Sequence, residues 1–507
     1  MDLTASLHEL FGFTEFRPGQ REACEAALAG RDVLVVMPTG SGKSLCYQLP
    51  GLLRDDLTVV VSPLVALMQD QVDALRARGL GERVALVNAQ QDAGANSAAL
   101  ERALAGELRL LYVAPERFAA PGFLERMGTA RVGLFVVDEA HCVSQWGHDF
   151  RPDYFRLADA ARALGAGSIV ASTATATPRV AADVVARLKL REPLRVATGF
   201  DRPNLAFGVA RPGGHEKRSL LVECLRGEDA LPAIVYTGTR AGAEEAAAEL
   251  SEALGEPAVP YHAGLERERR AEVQRSFLAD RVRIICATNA FGMGVDKPNV
   301  RTVVHATVPS SLEAYYQEAG RAGRDGLQSQ CVLLANPQDK GLHVFFINQT
   351  EDPEAKSQRW AQYRAVWGYV DGEACRRAAI LRHFGDRTTP HSDGRCCDVC
   401  DGPLGVAAVP PKRAVVTGDG DARTAIIAVV DAASPAVGRT RCVEILRGGR
   451  SKVVLKYGYD ELPGYGELGD WRADDLLAEV DAMIAAGSLE STGGRFPKLV
   501  VSEAEAA

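Results

Sequence analysis

The sequence predicts an α/β protein with two parallel-sheet domains in tandem, followed by a helical module and a winged helix. Short runs of Val, Ile and Leu alternate with amphipathic stretches over the first two thirds of the chain. Strands that alternate with helices in this way favour a doubly wound parallel sheet. The alternation restarts once, which predicts two such domains, and the end of the chain has the pattern of three helices and a hairpin.

The first domain is assigned residues 1–200. Leu64–Arg78 has the apolar spacing of a helix that lies between two strands. The predicted buried strands are Val33–Met37, Thr58–Val61, Arg109–Val113, Gly133–Val137 and Ser168–Ala171.

The second domain is assigned residues 201–336, because the strand pattern resumes after Phe200-Asp201-Arg202-Pro203-Asn204. Its predicted strands are Ala233–Tyr236, Arg283–Cys286 and Arg301–His305. We expect it to resemble the first domain in architecture.

The rest of the chain is predicted to form a helical module, residues 337–405, and a winged helix, residues 406–507. Trp360–Phe384 is helical in pattern, and Gly402–Gly420 has the Pro, Gly and small residues of a linker. The predicted elements of the winged helix are Ala422–Ala433, Arg439–Leu446, a helix with apolar positions at Leu476, Leu477, Val480, Met483 and Ile484, and a hairpin around Gly493-Gly494 within Ser488–Ser502.

The composition bounds the class of protein. Of 507 residues, 47% are hydrophobic and 24% charged, which excludes a mostly disordered chain, a collagen-like fibre and a disulfide-stapled mini-protein. Lys and Arg number 58 against 66 Asp and Glu, a net charge of −8. A nucleic-acid partner would therefore need a local basic surface. Residues 411–460 supply one, with nine basic and five acidic side chains, a local charge of +4.

No targeting or membrane segment is predicted. Met1–Phe16 has neither a basic region nor an apolar run, so it does not resemble a signal peptide. Thr58–Met68 is among the longest apolar runs, and it is interrupted by Pro63 and too short to span a bilayer. We expect a cytoplasmic protein with no membrane partner.

A Gly-rich loop follows the first predicted strand and precedes a helix. Backbone N–H groups of such a loop cradle phosphates. In this pattern Lys43 would reach the β- and γ-phosphates of ATP, and the Ser44 hydroxyl would ligate Mg²⁺. Met37 stands where the generic motif has Gly, and a plain Gly-rich turn is the alternative. The candidate nucleotide-binding residues of the loop are Thr39, Gly40, Ser41, Gly42, Lys43 and Ser44.

An acidic pair follows the strand Gly133–Val137. Asp138 at the carboxyl end of a strand can hold Mg²⁺ through water, and Glu139 can orient the attacking water. A solvated turn is the alternative, but the position of the pair after a phosphate loop in an α/β domain favours catalysis.

Two arginines in the second domain are candidates for an arginine finger. Arg321 and Arg324 are three residues apart and are predicted to share one helix face. An arginine that reaches the phosphates from a second domain raises the rate by about 10³–10⁵. The alternative is a solvated basic helix end. With the loop and the acidic pair, these residues predict an ATPase site between two domains.

The sequence resembles a known family, the RecQ helicases of superfamily 2, over nearly its whole length. Met37 agrees with that family. The motifs that carry the resemblance are Phe11–Gln20, Met37–Pro50, Asp138–Tyr154, Ser172–Pro178, Tyr261–Leu265 and Phe291–Pro298.

The resemblance implies two RecA-like motor domains and several further site residues. It implies that Phe13 stacks on adenine while Arg17 and Gln20 contact the base, and Gln can pair with the N6/N7 edge of adenine. A plain core aromatic is the alternative for Phe13. It also implies an aromatic-rich loop that contacts DNA and couples DNA binding to hydrolysis, with His262 as a further contact. The loop residues are Trp146, His148, Phe150 and Arg151, and aromatic rings of this kind stack on unpaired bases; a packed loop core is the alternative.

Four cysteines are candidates for a tetrahedral Zn²⁺ site: Cys375, Cys396, Cys397 and Cys400. The resemblance implies a zinc module with the pattern Cys…Cys-x-x-Cys-x-x-Cys, but Gly394 occupies the second expected position. Adjacent Cys396 and Cys397 are expected to serve one ion only with a strained backbone. His391 and Asp393 therefore remain alternatives to Cys396, and free thiols without a metal remain an alternative to the site.

The C-terminal region is similar to the winged helix of the family, which implies that it grips duplex DNA. Arg441, Arg450 and Lys452 are the candidate phosphate contacts. The hairpin around Gly493-Gly494 would lie near the fork, and a protein-interaction module is the alternative. The sequence stops at Ala507 without the further helical domain that many relatives append, as in the shorter bacterial type.

The sequence thus predicts an ATP-, Mg²⁺- and Zn²⁺-dependent DNA helicase. The family resemblance implies 3′-to-5′ movement on single-stranded DNA, unwinding of forked or tailed duplexes, a role in repair and recombination, and association with the nucleoid. We expect a monomer, with a single-stranded-DNA-binding protein as a candidate partner. The rivals are an RNA helicase or a translocase that does not unwind, and a DNA-binding regulator with an inactive motor.

Overall fold

The computed structural model describes residues 2–147, 149–213, 216–226, 228–292, 297–402, 404, 421–469, 471, 473–492 and 497–502. By contacts the chain forms two units. One contains Met1–Leu334 and Tyr369–Ala407, and the other contains Ala335–Gly368 and Ala408–Ala507. In the described residues, no helix has the length and apolar character needed to cross a membrane.

The N-terminal part of the first unit is a parallel sheet of order β3-β4-β2-β5-β6-β1-β7. Its inner strands are almost entirely buried and rich in Val and Leu, as expected for a sheet with both faces covered. The strands are β1 Val33–Val36, β2 Leu57–Val61, β3 Val84–Val87, β4 Leu110–Val113, β5 Val132–Val137, β6 Ser168–Thr173 and β7 Leu194–Ala197. The helices are α1 Leu3–Phe11, α2 Gln20–Leu28, α3 Leu45–Leu53, α4 Val65–Ala77, α5 Ala93–Leu104, α6 Phe123–Met127, α7 Leu157–Ala163 and α8 Pro178–Arg187.

A second parallel sheet follows, of order β10-β11-β9-β12-β13-β8. Its strands are β8 Leu205–Ala210, β9 Ala233–Tyr236, β10 Ala258–Tyr261, β11 Ile284–Ala287, β12 Thr302–His305 and β13 Ser329–Leu334. Its helices are α9 Glu216–Leu225, α10 Arg240–Leu254, α11 Arg267–Leu278 and α12 Leu312–Ala319. Short 3-10 turns occur at Gly81–Arg83, Pro115–Ala119, Ala140–Val143, Pro152–Arg156, Glu228–Ala230 and Tyr459–Glu461.

The stretch Trp360–Phe384, which the sequence predicts to be helical, is divided between two helices. The helices of the helical module are α13 Pro337–Asn348, α14 Pro353–Asp371, α15 Arg376–His383 and α16 Asp398–Asp401. The break falls between α14 and α15, where Gly372 accepts a hydrogen bond from the Arg376 side chain through its carbonyl oxygen.

The C-terminal part of the second unit has the helices and the antiparallel strand pair of a winged helix. Ile426, Leu446 and Leu476 are among the side chains of its apolar core. Its elements are α17 Asp421–Ala432, α18 Arg439–Leu446, α19 Lys452–Lys456, α20 Ala473–Ala486, β14 Leu489–Ser491 and β15 Leu499–Val501. The predicted turn at Gly493-Gly494 and the predicted linker from 405 to 420 lie outside the described residues.

The predicted fold class is confirmed. The predicted strands and the three predicted C-terminal helices are present, with ends that differ by a residue or two. The domain boundaries at 200/201, 336/337 and 405/406 stay predictions.

Candidate active site

The phosphate loop lies where the sequence places it, between β1 and α3. Gly40 and Gly42 have φ angles of +83° and +81°, in the left-handed region that favours glycine. A β-carbon on Gly42 would lie 2.6 Å from the Gln20 side-chain nitrogen. Glycine at this position therefore lets the loop pack tightly against the start of α2.

The carbonyl oxygens of the loop are held by side chains. The Ser41 hydroxyl donates to Pro38 O (2.6 Å), and the Arg17 guanidinium donates to Gly40 O (2.6 Å). The Gln20 amide donates to Ser41 O and Gly42 O, both at 3.1 Å, and Arg202 donates to Thr39 O at 3.2 Å. These side chains hold the loop in the conformation seen here, in which the Ser41 N–H also donates to Pro38 O at 3.2 Å. A Gly-rich loop at the start of a helix is the type of backbone that cradles phosphate.

The acidic pair follows β5 and is buried. The Asp138 N–H donates to Val61 O (2.8 Å), and the Tyr154 hydroxyl donates to Asp138 O (3.1 Å). Burial, followed by the negative charge of Glu139, raises the pKa of the Asp138 carboxyl above its usual range, against the opposing charge of Lys43. Burial also lowers the pKa of Lys43, while Glu139 and Asp138 raise it. The three side chains therefore form one electrostatic cluster.

Residues beside this pair were not identified from the sequence. The Tyr47 hydroxyl lies 3.4 Å from Asp138 Oδ2 and hydrogen-bonds to Ser44. The His141 Nδ1 atom lies 3.3 Å from Glu139 Oε2 and 2.9 Å from the Thr173 hydroxyl. The sequence signal for His141 is its position two residues after Glu139 in the run Asp138-Glu-Ala-His.

The prediction that Arg321 and Arg324 share one helix face is wrong. The helix α12 ends at Ala319, and both arginines lie in the turns that follow. Gly323 has a φ of +54°, and a β-carbon there would lie 2.4 Å from the Asn204 amide nitrogen. The chain thus turns sharply between the two arginines.

The two arginines consequently have different surroundings. Arg321 is 4% exposed and hydrogen-bonds to Tyr236, which lies in the second sheet. The Cγ atom of Arg324 lies 3.4 Å from the position that a β-carbon would take on Gly40 of the phosphate loop. Arg324 is therefore the candidate finger, and Arg321 lies inside its own domain.

A cavity of about 400 Å³ lies between the two sheets' domains. Arg17, Thr39, Asp201, Arg202 and Arg324 are among its lining residues. Beyond this cavity, Phe13 is 49% exposed, with the Arg78 guanidinium carbon 5.7 Å from its ring centre. Phe13 is thus not a plain core aromatic, since about half of its surface is exposed. The side chain of Gln20 is engaged by the loop and by the Arg17 N–H (2.9 Å).

The aromatic-rich loop packs on α8 of the same domain. The Arg179 guanidinium carbon lies 3.0 Å from the centre of the Trp146 ring. The Phe150 ring centre lies 5.1 Å from that of Phe155. Arg151 pairs with Asp149 (3.0 Å) and donates to Pro63 O (3.0 Å). His148, a further predicted contact in this loop, lies outside the described residues.

His262, a predicted DNA contact, is buried in this structure, and its contact with DNA stays a prediction. Its side chain is 5% exposed, and its Nε2 atom lies 3.1 Å from Glu244 Oε1. Glu244 holds the buried ring through Nε2, while the Nδ1 atom has no hydrogen-bond partner among the described residues.

The predicted basic residues of the winged helix are partly neutralised. Arg441 pairs with Glu444 and donates to the Ser451 hydroxyl (2.7 Å), while Arg450 is exposed. Lys452 begins α19. Of the other basic residues in the region, Arg423 pairs with Glu479 at 2.8 Å, and Lys412 and Arg413 lie outside the described residues. Between Arg441 and Arg450, the two predicted phosphate contacts whose side chains the structure describes, Arg450 has the clearer access to solvent.

The four cysteines come together. Their sulfur atoms lie within 4.8 Å of one another, with Cys375 Sγ 3.6 Å from Cys396 Sγ and 3.9 Å from Cys397 Sγ. A tetrahedral ion with Zn–S bonds of about 2.3 Å places its sulfurs about 3.8 Å apart, so the cluster fits zinc. Burial, followed by the Cys375 sulfur, raises the pKa of Cys396 to about 12. Metal binding would release such protons.

The expected strain between the adjacent cysteines is absent. Cys397 has an extended backbone (φ −164°, ψ 171°), and it forms a bridge with Phe207 of β8. In the described residues, neither His391 nor Asp393 belongs to the group of ligand atoms that the four sulfurs form. The exposed His391 Nε2 atom instead lies 3.3 Å from Asp393 Oδ1. The sulfurs of both adjacent cysteines nevertheless lie in the cluster, at 3.6 Å and 3.9 Å from Cys375 Sγ.

Four family models match consecutive parts of the chain. The DEAD/DEAH box helicase model matches residues 17–184, and the helicase conserved C-terminal domain model matches residues 216–326. The RecQ zinc-binding model matches residues 337–401, and the RQC domain model matches residues 416–507. The matches follow the order of the two sheets, the cysteine module and the winged helix.

Solved structures support the same architecture. A DNA-bound structure of the DUF1998 helicase MrfA has a TM-score of 0.55 at 19% identity and covers 72% of this chain, although the chain spans only 56% of MrfA. The DEAD-box helicase Mss116, bound to single-stranded RNA, has a TM-score of 0.56 at 17% identity, covering 75% of this chain and 90% of that one. Because the sequence identities are below 20%, these two similarities are evidence for the fold alone.

Two bacterial relatives match almost the whole sequence. The ATP-dependent DNA helicase RecQ of Bacillus subtilis (strain 168) is 37% identical over 498 residues, which cover 98% of this chain and 81% of the relative. The enzyme of the same name from Pasteurella multocida (strain Pm70) is 36% identical over 493 residues, which cover 97% of this chain and 75% of the relative. The resemblance found in the motifs is confirmed, and the chain belongs to the RecQ family of helicases.

Proposed function

We propose that the chain is an ATP- and Mg²⁺-dependent DNA helicase that moves 3′-to-5′ on single-stranded DNA and unwinds forked or tailed duplexes. The observation that carries the proposal is the approach of Arg324 to the phosphate loop, 3.4 Å from a β-carbon position on Gly40. A site completed by a residue from a second domain responds to movement of that domain. Hydrolysis can therefore drive opening and closing of the cleft, which is the motion that a translocating motor needs.

The described residues supply the parts of phosphoryl transfer. The phosphate loop and Lys43 bind the phosphates, Glu139 orients the attacking water, and Arg324 stabilises the charge that develops in the transition state. Phe13 offers a ring to adenine. Arg321 is assigned a supporting place within the second domain rather than a contact with ATP, because it is buried beside Tyr236.

Ser44 and Asp138 would hold magnesium. Tyr47 contacts both residues, so they lie near one another, and the raised pKa of Asp138 marks a buried carboxylate that lacks sufficient positive charge. A divalent cation relieves this situation, so the residues fit the ion. Bound Mg²⁺ would neutralise phosphate charge during transfer.

DNA is the proposed track. Trp146 lies five residues after the buried His141, so a contact at Trp146 is linked through a short stretch of chain to Glu139. We assign Trp146, Phe150 and Arg151 to single-stranded DNA and the exposed Arg450 to the phosphates of the duplex. The chain would act in repair and recombination, as a monomer in the cytoplasm at the nucleoid, with a single-stranded-DNA-binding protein as a candidate partner.

The test is unwinding of a duplex that carries a 3′ single-stranded tail, with ATP and Mg²⁺. A 5′-tailed duplex and the variant Lys43→Ala serve as controls. We expect strand separation of the 3′-tailed substrate alone, and its loss in Lys43→Ala. DNA-stimulated hydrolysis without strand separation would make the chain a translocase. Stimulation by RNA rather than DNA would make it an RNA motor, and no hydrolysis at all would leave a DNA-binding regulator.

A further inference from the structure

The linker between the two sheets contains an arginine that holds both sides of the ATP cleft. The linker follows β7 and precedes β8, and Arg202 lies at its centre. One terminal nitrogen of Arg202 donates to Thr39 O of the phosphate loop (3.2 Å) and to Gly320 O (3.3 Å). The other terminal nitrogen donates to Ala322 O (3.0 Å) and Gly323 O (3.1 Å).

These acceptors belong to the two catalytic loops. Thr39 lies in the loop that binds phosphate, and residues 320–323 form the turn that leads to Arg324. Arg17 and Gln20 also hold the phosphate loop, but both come from the first domain. Arg202 differs from them because its remaining hydrogen bonds go to the second domain.

The backbone of the linker on both sides of Arg202 is held by hydrogen bonds to neighbouring residues. Asn204 donates to Gly323 O (2.8 Å) and Leu327 O (2.9 Å), which adds a second hold on the same turn. The fully buried Arg377 donates to Asp201 (3.2 Å), and the Tyr316 hydroxyl donates to Phe200 O (2.8 Å). A side chain that projects from such a backbone can position its partners rather than follow them.

We propose that Arg202 is a positioning residue for catalysis, which sets the distance between Arg324 and the phosphate loop. This inference rests on the proposed ATPase activity. A planar guanidinium can satisfy several carbonyl oxygens from two loops, whereas the compact ammonium of lysine cannot span them in the same geometry. Without the Arg202 guanidinium, we expect the nucleotide to stay bound while Arg324 is displaced from the phosphates.

The expected result for Arg202→Lys is a fall in the kcat for ATP of about 10- to 100-fold, as found when a catalytic group is misplaced by an ångström or so. The KM for ATP should change by less than about 3-fold, because the phosphate loop keeps Arg17 and Gln20. The measurement is steady-state ATP hydrolysis with saturating single-stranded DNA. The matched control is Arg54→Lys, since Arg54 is a half-buried arginine whose bonds to Ala27 O and Asp56 stay within the first domain.

A double-mutant cycle separates positioning from general destabilisation. Arg324→Ala alone should lower kcat by about 10³-fold or more. If Arg202 acts through Arg324, adding Arg202→Lys to Arg324→Ala should lower single-turnover hydrolysis by less than about 3-fold more. Two independent effects would multiply instead. Thermal unfolding of each variant is measured alongside, and Arg202→Lys is used rather than Arg202→Ala because it keeps the charge and most of the volume.

The outcomes distinguish this inference from the proposed function. Wild-type kinetics in Arg202→Lys, a change confined to KM, or multiplicative effects in the cycle would each overturn the role of Arg202 while leaving the helicase proposal intact. Absence of hydrolysis in the wild-type chain would overturn both. A fall in kcat alone, with non-additivity and an unchanged unfolding temperature, would establish Arg202 as the positioning residue.

Discussion

Glu139 shows how one residue's backbone serves the chemistry. It has a left-handed conformation (φ 48°, ψ 47°) although it has a β-carbon, and such a conformation costs about 1–2 kcal/mol. The neighbouring Asp138 is fixed by its bond to Val61 O and by Tyr154, which hold the strained turn. The turn directs the carboxylate toward His141, so the strain contributes to the placement of the catalytic group.

We expect Glu139→Gln to bind ATP but to hydrolyse it about 10²–10⁴ times more slowly, because an amide cannot act as a base toward water. The measurement is the affinity for a fluorescent ATP analogue, set against DNA-stimulated turnover. Glu313→Gln is the matched control, since Glu313 is also buried and also pairs with a histidine, His383, at 2.8 Å. Turnover lowered equally in both variants would mean that the effect of Glu139→Gln is structural.

At this scale the sequence identified residue types better than residue positions. The loop motif and the acidic pair follow strands directly, so their placement depends on local structure alone. Which of Arg321 and Arg324 reaches the cleft depends on the turn at Gly323, whose conformation is set by packing against Asn204. The burial of His262 against Glu244 is likewise a tertiary contact that motif spacing does not contain.

Among the elements, the strands that the sequence pattern did not identify lie mainly at sheet edges. β3 and β7 are the outer strands of the first sheet, and β10 and β8 are those of the second. Edge strands need bury less surface, so they tolerate Arg195 in β7, Gly208 in β8 and Pro260 in β10. Long apolar runs mark central strands, and the edges become recognisable only from the strands they pair with.

The helix α8 holds the aromatic-rich loop through one face. Arg179, Asp183 and Arg187 are spaced four apart, and they contact the Trp146 ring, the Ser144 hydroxyl (2.7 Å) and the Phe155 ring in turn. One face of the Trp146 ring is therefore covered by a cation. A base that stacks on this face of the ring must displace Arg179.

We expect Arg179→Ala to bind single-stranded DNA more tightly, by about 2- to 5-fold, because an exposed cation–π contact contributes about 0.5–1 kcal/mol. The measurement is fluorescence anisotropy of a labelled oligothymidylate without nucleotide. Arg162→Ala is the control, since Arg162 is an exposed arginine on α7 that pairs with Asp159. Weaker binding by Arg179→Ala would instead show that Arg179 itself contacts the DNA.

Across the whole first unit, the cysteine module is tied to the ATP cleft through the linker. Cys375 immediately precedes α15, which carries Arg376 and the buried Arg377. Arg377 donates to Asp201, to Leu205 O (2.5 Å) and to His391 O. Asp201 precedes Arg202, so a continuous set of contacts leads from the cysteine cluster to both catalytic loops. A folded cysteine module therefore helps to hold the linker and, through Arg202, the two catalytic loops of the ATP cleft.

This arrangement gives a prediction about the metal. Cys396→Ser should weaken zinc binding by at least about 100-fold, since loss of a ligand exceeds the 10- to 100-fold cost of losing an outer contact. His391→Ala should keep its zinc, because the His391 side chain pairs with Asp393 away from the sulfurs, and only its backbone meets Arg377. Zinc per chain, measured after dialysis against a chelator, and the thermal unfolding temperature are the readouts. Cys396→Ser should lose the metal and unfold at a lower temperature, because metal binding contributes directly to folding. Zinc retained in both variants, or lost from His391→Ala alone, would overturn the four-cysteine site.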